Sequence, residues 1–262
     1  TSGITLAAFG SGLPPQTQAH FTIDGRAFTG GVNDKAYLWA TDTGRIISSV
    51  SIPASLRSTP SFGAIAAVKL SPNRRTLAVG VHNLLLVYDL DRSISPPRQI
   101  AAHRGFISGL GFSKDGAVLW TSGSERNIKA WNTTSWEQLS SFETSTPTRA
   151  LPNISRDGSL VAVCDQADTV RVIETRPRKW FNRIGTATKS VHSVRFDPPG
   201  DKLAAVSSDG SVRVWRADGT SIWTWGSSEF GVEAVTFSPD GLRLFVARQD
   251  GQIITADALT GA

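Results

Sequence analysis

Methionine is absent from all 262 residues, and cysteine occurs once, at Cys164. A single thiol excludes an intramolecular disulfide framework and favours a reducing compartment, so a cytoplasmic setting is expected. Without Met at its start, the chain reads as a processed product or a segment of a longer protein whose other parts hold further activity. Long apolar runs are missing too. None approaches the roughly 18 residues that cross a bilayer as a helix, and the opening TSGITLAAFGSGLPP lacks the basic start of a signal peptide.

Histidine is scarce, with only His20, His82, His103 and His192. These and Cys164 are far apart in sequence, without the close pairing of zinc sites, so no metal is expected. No phosphate-binding loop or dinucleotide fingerprint occurs, and no cofactor is expected. Cys164 sits in the apolar run VAVCD and reads as packing. Nucleophilic catalysis needs a base held by a third group. Only His103, with Thr121 and Glu125, offers a triad, and the regular spacing described below makes these three structural. The chain is therefore read as a non-enzyme.

The composition that remains is ordinary for a globular protein, 40% hydrophobic and 19% charged. Twenty-seven basic residues against 22 acidic leave a net charge of +5. That balance favours acidic partners mildly and makes nucleic acid a minor alternative.

Residues 101–143 show how the chain is organised. FISGLGF, AVLWTSG, IKAW and QLSSFE are short, rich in apolar, aromatic or β-branched residues, and separated by SKDG, SERN and NTTSWE. Asp115-Gly116 supplies the backbone freedom of a tight turn. No helical period is sustained, so the stretch predicts a four-stranded antiparallel meander. Such a sheet has two apolar faces and must stack on others like it.

The stretch has siblings. The apolar residue that closes each first strand recurs at Phe21, Leu70, Phe112, Ile154, Phe196 and Phe237, at intervals of 49, 42, 42, 42 and 41 residues. A second series, Trp39, Tyr88, Trp131, Ile173, Trp215 and Ala256, keeps step near the end of each third strand. A period of about forty with four strands per unit is the signature of a propeller array. The last unit stops one strand short, and the chain begins with an unassigned strand, GITLAAFG. The whole chain, 1–262, is therefore expected to be one all-β propeller domain of six four-stranded antiparallel blades, closed by the N-terminal strand. Seven blades is the alternative.

His103, Phe112 before Asp-Gly, Thr121, Glu125 and Trp131 resemble the WD-repeat β-propeller family in identity and spacing. In that family a His, a hydroxyl, an Asp and a Trp form a buried network within a blade. The resemblance gives His103, Thr121, Glu125 and Trp131 that role, with Glu125 departing from the usual Asp. It implies a non-enzymatic scaffold that docks a protein or peptide on one end of the ring, within a larger chain or complex.

The loops entering the inner strands place Phe62, Phe106 and Phe230 on that end, with Arg104, Arg126 and Lys189 as cations and Glu229 as counter-charge. Aromatic side chains among arginines are what protein-binding hot spots use. Two further readings are open. ETRPRKWFNR (174–183) mixes basic and aromatic residues as a nucleic-acid or anionic-surface binder does, although Trp180 and Phe181 also suit the start of an outer strand. Trp120, Trp136, Trp180, Trp223 and Trp225 fall outside the repeat positions and raise a lectin, but their spacing is uneven from blade to blade.

Overall fold

The computed structural model describes residues 18–21, 27–32, 34–40, 43, 45–56, 65–92, 96–143, 153–155, 158–164, 169–174, 179–186, 191–226 and 231–262. Among them are strands, one short 3-10 helix (Ala54–Leu56) and no α-helix. The strands form six sheets, each built antiparallel from strands consecutive in sequence.

The first sheet holds β1 (Gln18–Phe21), β2 (Ala27–Val32), β3 (Lys35–Ala40) and β4 (Ile46–Ser51). The second holds β5 (Ile65–Leu70), β6 (Thr76–Val81), β7 (Leu84–Asp89) and β8 (Arg98–Ala101). The third, matching the stretch 101–143, holds β9 (Ile107–Phe112), β10 (Val118–Gly123), β11 (Asn127–Asn132) and β12 (Gln138–Glu143). The fourth comprises β13 (Asn153–Ile154), β14 (Leu160–Cys164), β15 (Thr169–Glu174) and β16 (Lys179–Thr186). The fifth comprises β17 (Val191–Phe196), β18 (Lys202–Ser207), β19 (Val212–Arg216) and β20 (Ser221–Trp225). The sixth has three described strands, β21 (Val232–Phe237), β22 (Arg243–Arg248) and β23 (Ile253–Asp257). Residues 3–10, expected to close a ring, lie outside the described residues.

The two sequence series land where the period put them. Phe21, Leu70, Phe112, Ile154, Phe196 and Phe237 are the last residues of the first strands, and Trp39 through Ala256 are the penultimate residues of the third. By packing, the chain divides at Leu110 into two compact units, and the boundary falls inside β9.

In the second, third and fifth sheets, burial falls from the second strand to the fourth. β6 and β18 are buried at five successive positions, so both faces are covered and their sequences, TLAVGV and KLAAVS, are apolar without alternation. β4 and β12 are largely exposed. In the first unit Ala36, Ile52, Ile65, Val68 and Leu86 form one core cluster, and the Tyr88 hydroxyl donates to the Ser51 carbonyl at 2.9 Å. In the second unit Val163 and Ile173 pack with Trp120 and Ile128. Val172 and Cys164 pack with Val194 and Trp215, and Val206 and Val214 with Val235 and Val246.

One turn recurs between first and second strands. The hydroxyls of Ser71, Ser113, Ser155 and Ser238 accept the N–H of the residue five on, at 2.9 to 3.0 Å. Three of them donate in turn to the side chain two residues on, Asn73, Asp115 or Asp240. In the fifth sheet Asp197 takes the place of serine. Its Oδ1 accepts from the Gly200 and Lys202 N–H groups at 3.0 and 2.9 Å, and its Oδ2 lies 2.6 Å from Lys202 Nζ. A buried carboxylate here requires that counter-charge.

Candidate functional site

The segment leading into β9 is pinned to the two-residue turn between β6 and β7. Ala102 and His103 both donate backbone N–H to the Asn83 carbonyl, at 3.1 and 3.2 Å, and Ile107 donates to the His82 carbonyl at 2.6 Å. Contact is close because position 80 is glycine. A Cβ there would lie 2.8 Å from Ile107 Cγ2. Three hydrogen bonds thus fix both ends of 102–107 and push its middle outward.

Phe106 is the result. It is 57% exposed, and its ring meets His82 at 5.8 Å between centroids, inclined by 50°. Leaving half of a phenylalanine in water forgoes about 1 kcal/mol of burial. Arg104, two residues earlier, is exposed as well. Neither 76–88 nor 96–114 contains a carboxylate. The acids of the second sheet, Asp89 and Asp91, belong to the far end of β7, where they pair with Arg92 and Arg75. Phe106 is thus presented beside the Arg104 cation, and neither of these two segments supplies an acid.

Part of the proposed blade network is present. The Trp131 indole N–H donates to Thr121 Oγ1 at 3.0 Å, with both residues buried. The register explains it: Trp131 opposes Leu119, and Thr121 lies two residues along on the same face. His103 is buried and Glu125 half-buried. Arg126 occupies the turn between β10 and β11 with φ 69°, and reaches Glu143 at 3.7 Å.

Comparison with known proteins places this arrangement. The family model described as WD domain, G-beta repeat matches residues 94–132, which span Arg104, Phe106, Thr121 and Trp131. A second, the anaphase-promoting complex subunit 4 WD40 domain, matches residues 194–262. Both matched stretches are of WD-repeat type. Among curated WD-repeat relatives, the mouse target of rapamycin complex subunit LST8 is 24% identical over 160 residues, covering 59% of this chain and 48% of the relative. Periodic tryptophan protein 2 of Arabidopsis thaliana is 27% identical over 207 residues, covering 75% and 22%. Protein LST8 homolog of Drosophila melanogaster is 21% identical over 193 residues, covering 71% and 58%. The chain spans about half the length, or less, of several curated relatives it matches.

The other candidates fare unevenly. Phe62, Lys189, Glu229 and Phe230 lie outside the described residues. In 174–183, Lys179 begins β16, with Trp180 opposite Ile173 and Phe181 opposite Val172. Their backbone thus belongs to an outer strand. Two features escaped the sequence reading. His82 carries φ 52° in a His-Asn turn, a pair that tolerates left-handed backbone but lacks the glycine that would have announced it. Trp223 and Trp225, 5.4 Å apart on β20, donate their indole N–H groups to the Ala258 and Gly261 carbonyls at 3.1 and 3.0 Å. No helix among the described residues is long and apolar enough to cross a membrane.

Proposed function

We propose that the chain is a non-catalytic docking platform that binds a protein or peptide through the loop bearing Arg104 and Phe106, as part of a larger chain or complex. The observation that carries this is the outward presentation of Phe106 by three backbone hydrogen bonds, beside the exposed Arg104. Exposed aromatic and arginine residues on a rigid support are the usual centre of a protein hot spot. The matched relatives lend support. One is named as a subunit of a target of rapamycin complex, and one family model is named for a subunit of the anaphase-promoting complex. On this reading residues 1–262 form one domain. The six sheets are blades of one ring, closed by residues 3–10 beside β23, and Phe62, Lys189, Glu229 and Phe230 extend the docking end.

The test is quantitative affinity capture with wild type, Phe106→Ala and Arg104→Glu, each checked for an unchanged melting temperature. At least one partner retained by wild type should be lost from both variants. Retention of every partner by folded Phe106→Ala would refute the platform as placed.

A further inference from the structure

In four sheets the turn between the first and second strands is tied to the chain leaving the third. The carbonyls of Arg75, Ala117, Asp201 and Leu242 accept the N–H groups of Leu90, Thr133, Ala217 and Ala258 at 2.8 to 3.1 Å. Each bond sets two exposed positions side by side, the acceptor residue and the one after the donor. In the second sheet these are Arg75 and Asp91, which meet as an ion pair at 3.3 Å. In the third they are Ala117 and Thr134, and in the fifth Asp201 and Asp218. The sixth, alone of these four, has large apolar side chains at both positions, Leu242 and Leu259, exposed by 62% and 57%.

The fold does not call for leucine at either place. Leu242 N–H donates to Asp240 Oδ1 and Leu259 N–H to Asp257 Oδ1, both at 2.9 Å. Arg75 and Asp91 make the same bonds, to Asn73 and Asp89, at 3.0 Å. A single exposed leucine is ordinary, whereas adjoining ones rimmed by charge mark a contact surface. The rim here is acidic. Hydrogen bonds from Ser238 and the Leu242 N–H hold the Asp240 carboxyl below the ordinary range, and those from the Thr260 and Leu259 N–H groups do the same for Asp257, so both are anionic at neutral pH. Arg243 is exposed close by and forms an ion pair with neither.

We propose that Leu242 and Leu259, with Asp240 and Asp257 beside them, form a second docking surface, one that takes a protein segment carrying an apolar residue flanked by lysine or arginine. The apolar side chain of that segment covers the two leucines, and its cations meet the two carboxylates. Charge complementarity of this kind selects the partner and fixes its register, while burial of the leucines supplies affinity. The inference does not rest on the platform at Arg104 and Phe106.

The probe is a displayed library of random twelve-residue peptides, selected on the wild-type chain against an excess of soluble Leu242→Arg/Leu259→Asp. That variant carries the pair found in the second sheet, so its melting temperature should stay within about 2 °C of wild type. As competitor it removes every peptide that binds elsewhere, the platform included. Enriched peptides should share an apolar residue beside Lys or Arg and bind the variant about tenfold or more weakly than wild type. Asp240→Asn/Asp257→Asn keeps a side chain that caps the second sheet's turn as Asn73. It should bind the peptides more weakly than wild type, with a shallower dependence on salt. Enriched peptides without a common cation, equal binding by Asp240→Asn/Asp257→Asn, or no enriched peptide at all would overturn the inference. Sedimentation tests the other occupant: self-association of wild type that Leu242→Arg/Leu259→Asp abolishes would assign the leucines to a second copy and overturn it too. Should that variant melt lower, Leu242→Ala/Leu259→Thr, with the third sheet's pair, replaces it throughout.

Discussion

Thr121 gives the sharpest test of how the third sheet is held. Its hydroxyl accepts the Trp131 indole N–H at 3.0 Å, and both side chains are buried. Thr121→Val keeps the shape and removes the acceptor, leaving a buried N–H without that partner. An orphaned buried donor costs about 1–3 kcal/mol, which for a chain of this length lowers the melting temperature by roughly 2–10 °C. The companion variant, Trp131→Phe, removes the donor and loses indole packing on its own account. In the Trp131→Phe background the hydroxyl no longer serves the indole, so adding Thr121→Val should cost much less than it does in wild type. Denaturant unfolding of the four species closes the cycle, with an expected coupling of about 1 kcal/mol or more. A coupling within about 0.3 kcal/mol of zero would refute the idea that this bond, rather than the packing around it, holds the strands in register.

Two further outcomes follow from the turns. Asp197→Ser restores the hydroxyl of the sibling turns but takes the counter-charge from Lys202, whose side chain is largely buried. Thermal unfolding should show a clear loss for Asp197→Ser that Asp197→Ser/Lys202→Val largely recovers, valine being the residue at the matching position Val118, and absence of recovery would discount the ion pair. Hydrogen bonds from Ser238 and the Leu242 N–H hold the Asp240 carboxyl below the ordinary range, and those from the Thr260 and Leu259 N–H groups do the same for Asp257. Depressed carboxyl groups stabilise the fold above their unfolded pKa of about 4 and cease to as pH falls through their folded values. Unfolding midpoints followed from pH 5 to pH 2 should therefore fall less steeply in Asp240→Asn/Asp257→Asn than in wild type, and parallel curves would count against it.

The period was legible in the sequence because its markers are obligatory. An apolar residue ends each first strand where the chain leaves the core, and an aromatic or aliphatic residue sits one place from the end of each third. Phe112 and Trp131 could be read directly for that reason. Asp115-Gly116 announced its turn because glycine is the residue that tolerates φ 72°. The same logic hid the left-handed backbone of His82, Arg126 and Trp136, residues that give no such signal even where the turn itself was read, as in SERN and NTTSWE. Exposure of Phe106 was legible only as a position before an inner strand. What turns it outward is the bonding of 102–107 to His82 and Asn83, residues some twenty places earlier. Trp223 and Trp225 were set aside for lacking even spacing, yet their indoles bind the carbonyls of Ala258 and Gly261, more than thirty residues away.

The fall in burial from second strand to fourth has a consequence for how this molecule opens. Local unfolding begins where little apolar contact is lost and backbone bonds already face water. β4 and β12 meet that description, and β6 and β18 do not. Amide protons in the second, third and fifth sheets should therefore exchange in a gradient, outer strand first and second strand last, with fraying of an outer strand leaving its inner neighbours paired. Arg104 and Phe106 immediately precede β9, which stands at the other end of the strand order from β12. Motion at that outer edge can be frequent without disturbing the surface on which a partner would sit.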